Sequence, residues 1–322
     1  MDFKGVYKNE GPYGGFVEIN SIHLLGKMDI NESTLILGGA LTISQAIDGL
    51  KIDSEDSPIS KSMILKAVQH LIDVMESFGV TTKWIFRDEH SFTTFAFVSL
   101  MEDGERDFYF NRGADGQLSW KEVDAINLDD VSIAHFGSAT GFLPGPLQVA
   151  YQNLLQKAIQ KNIFISFDPN YRHLLFKNNI ETFVDQSWIF LNSCHFFKLS
   201  DEESMLITGK LTVKDAAETL LQKTSAVFAI TLGKEGTMLG YKNETEIISS
   251  IKVKPVDTTG AGDAFVGAVL YQLNNKSLQE IQSLTKEEWK HIIYNANKAG
   301  ARTCEYMGAM EAFKHLSSDI FN

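Results

Sequence analysis

The sequence predicts an α/β fold: a mostly parallel central sheet flanked by helices, with a small β lid attached. Three observations lead there. From about residue 130 onward, short apolar runs alternate with helical patterns. Those runs are apolar on both faces, as strands covered by helices on each side must be. The segment 91–112 breaks the rhythm with two strand-like runs joined around Asp103-Gly104, a hairpin signal. The simplest organisation is one domain over 1–322 with this hairpin inserted as a lid or edge extension.

Taken in order, "VSIAHFG" (131–137) reads as a buried strand. The helix after it, over 146–162, places Leu147, Tyr151, Leu154, Leu155 and Ala158 on one face. "IFISFD" (163–168) is strand, and "DQSWIFLN" (185–192) leads to a further short strand at "HFFKLS" (195–200). A helix begins near Asp201, another covers 213–224, and "AVFAITLG" (226–233) is again strand. "GAGDAFVGAVLYQL" and "KEEWKHIIYNANKAGARTCEY" are both helical. Before residue 65 the pattern is weaker. "STLILGGALTISQAI" (33–47) suggests strand and then helix, and 50–62 is loop-like.

Composition bounds the function. At 44% hydrophobic and 22% charged, the 322-residue chain reads as a soluble globular protein. A net charge of −12 excludes a general nucleic-acid or anionic-membrane binder, although a local pocket of backbone amides can still hold an anion. No run reaches the ~18 apolar residues of a membrane span, and the N-terminus has no apolar signal core. Cys194 and Cys304 have no metal-like spacing and read as small buried hydrophobes, in a strand and a helix respectively. A reducing cytoplasm fits these features.

The chemistry concentrates in "VDTTGAGDAF", Val256 to Phe265. Gly260 and Gly262 let an anion approach the backbone closely, and the apolar residues after them mark a buried helix. The start of that helix offers unpaired N–H groups and a partial positive charge, which suits an anion. A P-loop would need a lysine where Asp263 stands, and a dinucleotide fingerprint would need its third glycine two residues before Gly267. Asp263 makes sense if the phosphate moves. Held ionised by the helix, it can take a proton from a hydroxyl that attacks a phosphoryl group. It can equally be a helix-start carboxylate worth under ~1 kcal/mol.

"DTTGAGDAF" resembles the C-terminal signature of ribokinase-like (PfkB) carbohydrate kinases, nearest to fructokinases. Other segments follow in the family's order: the lid-like region 93–115, "FISFDPNYR" (164–172), "KLSDEE" (198–203) and "TLGKEGT" (231–237). The resemblance spans roughly 68–310. It implies a ribokinase-like fold and an ATP- and Mg²⁺-dependent transfer of the γ-phosphoryl group to a primary hydroxyl of a ketose, most like fructose.

By the same resemblance, Asp263 is the base and the amides of Gly260, Ala261 and Gly262 are the anion hole, with Arg172 a phosphate contact. Thr231, Gly233, Gly236, Asn297 and Gly308 fall on the nucleotide side. Arg112, Asp115, Asp168 and Asn170 fall on the sugar side. Glu203 corresponds to a glutamate that organises Mg²⁺ through water, with Ser200 where the family has asparagine. Asp257 and Thr259 stand where members often hold a monovalent cation such as K⁺. Bland readings accompany several of these: Ser200 to Glu203 is also a capping box, Gly233 to Gly236 is good turn chemistry, and Asn297 also suits helix packing. Family members often dimerise through their β lids, and the hairpin permits a homodimer.

The resemblance lapses in the first 65 residues. Family members open with a strand ending in G-E-x-x-x-D and then a GGAPAN-like loop, which grip the sugar. Here "GGFVEIN" puts Asn20 one residue late and "GGALTIS" has Ile43 where asparagine belongs. Two alternatives follow: a kinase for 2-keto-3-deoxygluconate or another sugar, and a catalytically impaired nucleotide- or sugar-binding relative. A nicotinamide-dependent oxidoreductase rests on the glycines alone.

Overall fold

The computed structural model describes the backbone of Gly15–Glu18, Thr34–Leu37 and Ile43–Ser44. From residue 69 to 321 it describes all but 70–71, 74, 89, 92–94, 101–105, 139, 177–178, 308–310 and 317. Side chains of the three early segments, of 87, 95–100 and 106–111, and of 313, 318 and 319 are not described.

A seven-stranded sheet organises the molecule, in the order β12-β11-β10-β9-β8-β7-β2. Its strands are β2 (Thr34–Leu37), β7 (Ile133–Gly137), β8 (Phe164–Asp168), β9 (Phe196–Ser200), β10 (Val227–Thr231), β11 (Thr237–Tyr241) and β12 (Glu244–Ile248). From β2 to β10 every neighbour is parallel, and β11 and β12 close the far edge as an antiparallel hairpin.

Period-2 alternation within the strands feeds two cores. Ala134, Phe136, Ile165, Phe167, Phe197, Leu199, Phe228 and Ile230 pack with helices Pro146–Gln160, Ile180–Leu191 and Val213–Lys223. Their neighbours Ile133, Phe164, Phe196 and Ala229 pack with helices Ala261–Leu273 and Lys286–Thr303 on the other face. Aromatic rings fill both layers: Phe197 stacks on Phe228 at 5.3 Å, and Trp289 stacks on Phe196 at 5.6 Å. Side chains set the helix starts. Ser200, Ser277 and Thr285 each form a reciprocal capping box with a glutamate three residues on.

A separate three-stranded antiparallel sheet runs β1-β5-β6, from β1 (Gly15–Glu18), β5 (Phe95–Leu100) and β6 (Arg106–Asn111). The 91–112 segment thus contains the expected hairpin, with Phe97 opposite Tyr109, and gains a third strand from the chain's beginning. A third pairing joins β3 (Ile43–Ser44) to β4 (Arg87–Asp88) in parallel.

Within 33–47 the expected strand is present at Thr34–Leu37 and a short one follows at Ile43–Ser44, while the helix expected after it falls on positions outside the described residues. Two expectations change. Cys194 lies in the turn before β9 rather than in a strand, and is buried there. Cys304 caps the last helix at its C-terminus and is only half-buried.

Candidate active site

The parallel strands β7 to β10 all end at one edge of the sheet, at Gly137, Asp168, Ser200 and Thr231, and α/β sheets place ligands at such an edge. Asp168, the last residue of β8, is 4% exposed, and its carboxylate accepts the Asn170 N–H at 3.2 Å. Asn170 itself takes a left-handed backbone, φ 50°, which turns the chain sharply out of the strand. Arg172 follows on the surface, where its guanidinium donates to the Tyr171 carbonyl at 3.2 Å.

Glu203 links two of these strand ends. One carboxylate oxygen accepts the Tyr171 N–H at 2.7 Å and the other accepts the Ser200 N–H at 2.8 Å. Its own N–H donates to the Ser200 hydroxyl at 3.1 Å, so the capping box foreseen from sequence is formed. The same carboxylate also fastens the 169–172 loop to the start of the next helix.

Asp263 occupies the first turn of the Ala261–Leu273 helix, whose cap residue Gly260 has φ 82°. The Ala261 N–H is already directed at the Thr258 carbonyl, 3.3 Å away. The loop before it is braced twice. The Asp257 carboxylate accepts the Thr259 N–H at 3.0 Å and the Thr259 hydroxyl at 2.7 Å. The N–H groups of Val256 and Asp257 both donate to the Cys304 carbonyl, at 2.7 and 3.1 Å. Burial and the nearby Asp257 carboxylate push the Cys304 thiol up.

Lys198 joins these parts, and sequence reading passed over it. It lies on β9 with its ammonium 3.3 and 3.4 Å from the two Asp168 oxygens, and the side chains of both residues are nearly buried. Burial alone would drive its pKa down, but the carboxylates of Asp168, Glu203 and Asp263 outweigh that and raise it. A side chain at Gly262 would place its Cβ 3.3 Å from the Lys198 ammonium, so the lysine reaches up to the glycine loop. One signal was present in the sequence: a lysine inside the apolar run "HFFKLS" must find an anionic partner if the strand is buried.

The other candidates fall in separate places. Thr231 lies beside Ser200 in register and donates its hydroxyl to the Leu199 carbonyl at 3.3 Å. Gly233 (φ 56°) and Gly236 (φ 107°) shape the turn into β11, closed by a 2.8 Å bond from the Leu232 N–H to the Gly236 carbonyl. Asn297 is buried in the last helix and bonded to β11 and the end of β12. Arg112 is held by the Asp115 carboxylate at 3.4 Å and donates to the carbonyls of Pro144 and Thr140 at 2.8 and 3.3 Å. That ties the lid base to the loop after β7. Gly308 lies outside the described residues.

Among the described residues no group of three or more His, Cys, Asp or Glu could hold a metal ion alone. Magnesium rarely asks for such a cage, since it keeps several waters and takes phosphate oxygens. The oxygens of Glu203 are held by backbone N–H groups with lone pairs to spare, which suits a contact through water. No described helix is long and apolar enough to cross a membrane.

The family model "pfkB family carbohydrate kinase" matches residues 66–315, leaving the first 65 residues outside it. A probable fructokinase-4 from Arabidopsis thaliana is 31% identical over 247 residues, covering 75% of this chain and 74% of that protein. A fructokinase with bound ATP from Xylella fastidiosa superposes with a TM-score of 0.67 at 25% identity, covering 76% of this chain and 77% of that one. A double-mutant fructokinase from Vibrio cholerae O395, in its fructose, ADP and potassium ion bound form, shares the fold with a TM-score of 0.65 at 22% identity, covering 76% and 77%. The doubly covered sheet and the glycine loop that opens its last-packed helix pair therefore have a family: the chain belongs to the pfkB carbohydrate kinases.

Proposed function

We propose that this chain is an ATP-dependent fructokinase that transfers the γ-phosphoryl group to a primary hydroxyl of fructose. One observation carries the reading: Asp263 stands in the first turn of a buried helix, directly behind the glycine loop and within electrostatic reach of Lys198. In that position it takes the hydroxyl proton while the Gly260, Ala261 and Gly262 backbone faces the phosphoryl group, with Arg172 as a further phosphate contact. Asp168 and Asn170, with Arg112 and Asp115 at the lid base, form the sugar side. Thr231, Gly233, Gly236 and Asn297 form the nucleotide side, a role the family resemblance extends to Gly308. Mg²⁺, carried by the ATP phosphates and met by Glu203 through water, would neutralise their charge. Asp257 and Thr259 brace the loop that a monovalent cation would occupy. The names of the relatives support fructose as substrate. The β1-β5-β6 sheet supports a homodimer through the lid, and two unlinked cysteines suit a cytoplasmic setting.

The experiment is ATP consumption with fructose against a panel of sugars, with Asp263→Asn as control. Fructose-dependent turnover that falls about 10²–10⁴-fold in the variant supports the reading. A variant with near-normal turnover overturns it.

A second reading rests on the first 65 residues, which fall outside the family match and lack the sugar-gripping motifs. It takes the chain as a nucleotide-binding relative with impaired turnover. ATP binding by calorimetry without sugar-dependent consumption would favour it.

A further inference from the structure

We propose that Lys198 is a positioning residue for phosphoryl transfer, holding the acidic groups of the site in place from strand β9; the proposal rests on the kinase reading above.

A glycine loop at a helix start commonly carries its own lysine to the phosphates. Gly262-Asp263-Ala264 has none. The structure brings one from the adjacent sheet. The Lys198 ammonium lies 3.3 and 3.4 Å from the Asp168 oxygens, and its end abuts Gly262, where an added Cβ would sit 3.3 Å from Nζ and 3.8 Å from Cε. The side chain is 10% exposed, and a buried lysine persists only where anions match it.

Three carboxylates do so, each from a different element. Asp168 ends β8, Glu203 lies in the Asp201–Thr208 helix, and Asp263 opens the Ala261–Leu273 helix. Glu203 is further satisfied by two backbone N–H groups and Asp168 by one. Of the other charged groups nearby, Asp257 is engaged with Thr259, Asp201 and Glu202 lie exposed in the first turn after β9, and Arg172 is exposed and donates to the Tyr171 carbonyl. Removing the ammonium would take away the cation that these three carboxylates share, and carboxylates that lose a shared cation take up protons more readily.

The consequence falls on the base. In the transfer, the hydroxyl O–H bond breaks and its proton goes to Asp263. The hydroxyl oxygen bonds to phosphorus, and the ADP oxygen leaves with the electron pair. Asp263 can accept that proton only when it begins ionised. Lys198 keeps its own proton throughout and sets the pH at which Asp263 is ready.

The test compares the wild-type chain with Lys198→Met and Lys198→Arg, each checked for folding by circular dichroism. Two readouts are taken on the full chain: the pH profile of kcat/KM for fructose, and a carbon-13 carboxyl NMR titration of Asp263. In Lys198→Met both the acid limb and the Asp263 titration should move up by about one pH unit, a loss of about tenfold in kcat/KM on the acid side. Lys198→Arg should restore the limb. A folded Lys198→Met with both readouts at wild-type values overturns the proposal. Should Lys198→Met not fold, Asp168→Asn decides. It releases Lys198 toward Asp263 and should move both readouts down, and unchanged values overturn the proposal. If the wild-type chain consumes no ATP with any sugar, the kinase reading fails, and the Asp263 titration alone then judges Lys198.

Discussion

The Thr237 hydroxyl donates to the side-chain oxygen of Asn297 at 2.6 Å, joining β11 to the last helix across 60 residues of chain. The Asn297 amide nitrogen completes the link by donating to the carbonyls of Ile248 and Ser249, at 2.9 and 3.4 Å. Asn297 is 6% exposed and Thr237 fully buried, so these bonds have no water to replace them. Asn297→Ala should therefore cost about 2 kcal/mol, read as a lower urea midpoint at unchanged slope. A change under ~0.5 kcal/mol with weakened ATP binding would assign Asn297 to the nucleotide instead.

The two glycines of the β10–β11 turn should respond differently to alanine. Gly236 has φ 107°, and a Cβ there would lie 2.2 Å from the Ile248 carbonyl oxygen and 2.7 Å from the Ser250 nitrogen. Gly236→Ala must displace backbone, so a loss of at least ~2 kcal/mol is expected. Gly233 has φ 56° but open space around it, so Gly233→Ala should cost only about 1 kcal/mol. Melting temperatures of the two variants, measured side by side, check the order.

Gly262→Ala should separate stability from activity. Its new methyl meets the movable end of Lys198 rather than backbone, and alanine is the better helix former. The melting temperature should hold or rise slightly. Turnover should fall at least about tenfold, because the ammonium must shift from its place beside Asp168 at the glycine loop. Wild-type turnover in this variant would show that the close approach has no role.

His195 gives the fold an acid sensitivity. Its Nδ1 accepts the Ile165 N–H at 2.9 Å, and its ring stacks on Phe164 at 5.3 Å. Burial holds its pKa below the ordinary 6.5. Below 6.5 the unfolded chain binds this proton more readily than the folded one. The contribution is thus complete above the unfolded value and is lost as pH falls from there through the folded value. His195→Asn, which keeps an acceptor but no titration, should flatten stability between about pH 7 and 5 in urea titrations. An unchanged slope would place the sensitivity elsewhere.

The legible parts of the chain were those whose signal is local. β7 to β10 announced themselves as apolar runs because both faces are covered, and the Ala261–Leu273 helix because it is apolar almost all round. The β11–β12 hairpin went unread. β12 is mostly exposed, and its Glu244 and Glu246 pair with Lys286 and Lys290 of the last helix, so ion pairs stand where an apolar pattern was sought. The site divides the same way. Asp263 could be placed from its own glycines, whereas Lys198 acquires its meaning from Asp168, 30 residues earlier, and from a helix that starts at Ala261. Neither neighbour is visible in "HFFKLS" itself.

The sheet order also bears on how the protein is made. From β7 to β12 each new strand lies next to the one made just before it, so a chain leaving the ribosome can extend the sheet one βα unit at a time. Strand β2 is the exception. It is synthesised early and finds its partner β7 only once Ile133 has emerged, after the lid hairpin has been made in between. Until then β2 lacks its partner in the sheet, and an unpaired strand is the kind of surface on which nascent chains associate with one another. Slow stretches of translation would therefore matter most just after Gly137, where the early strand needs time to return.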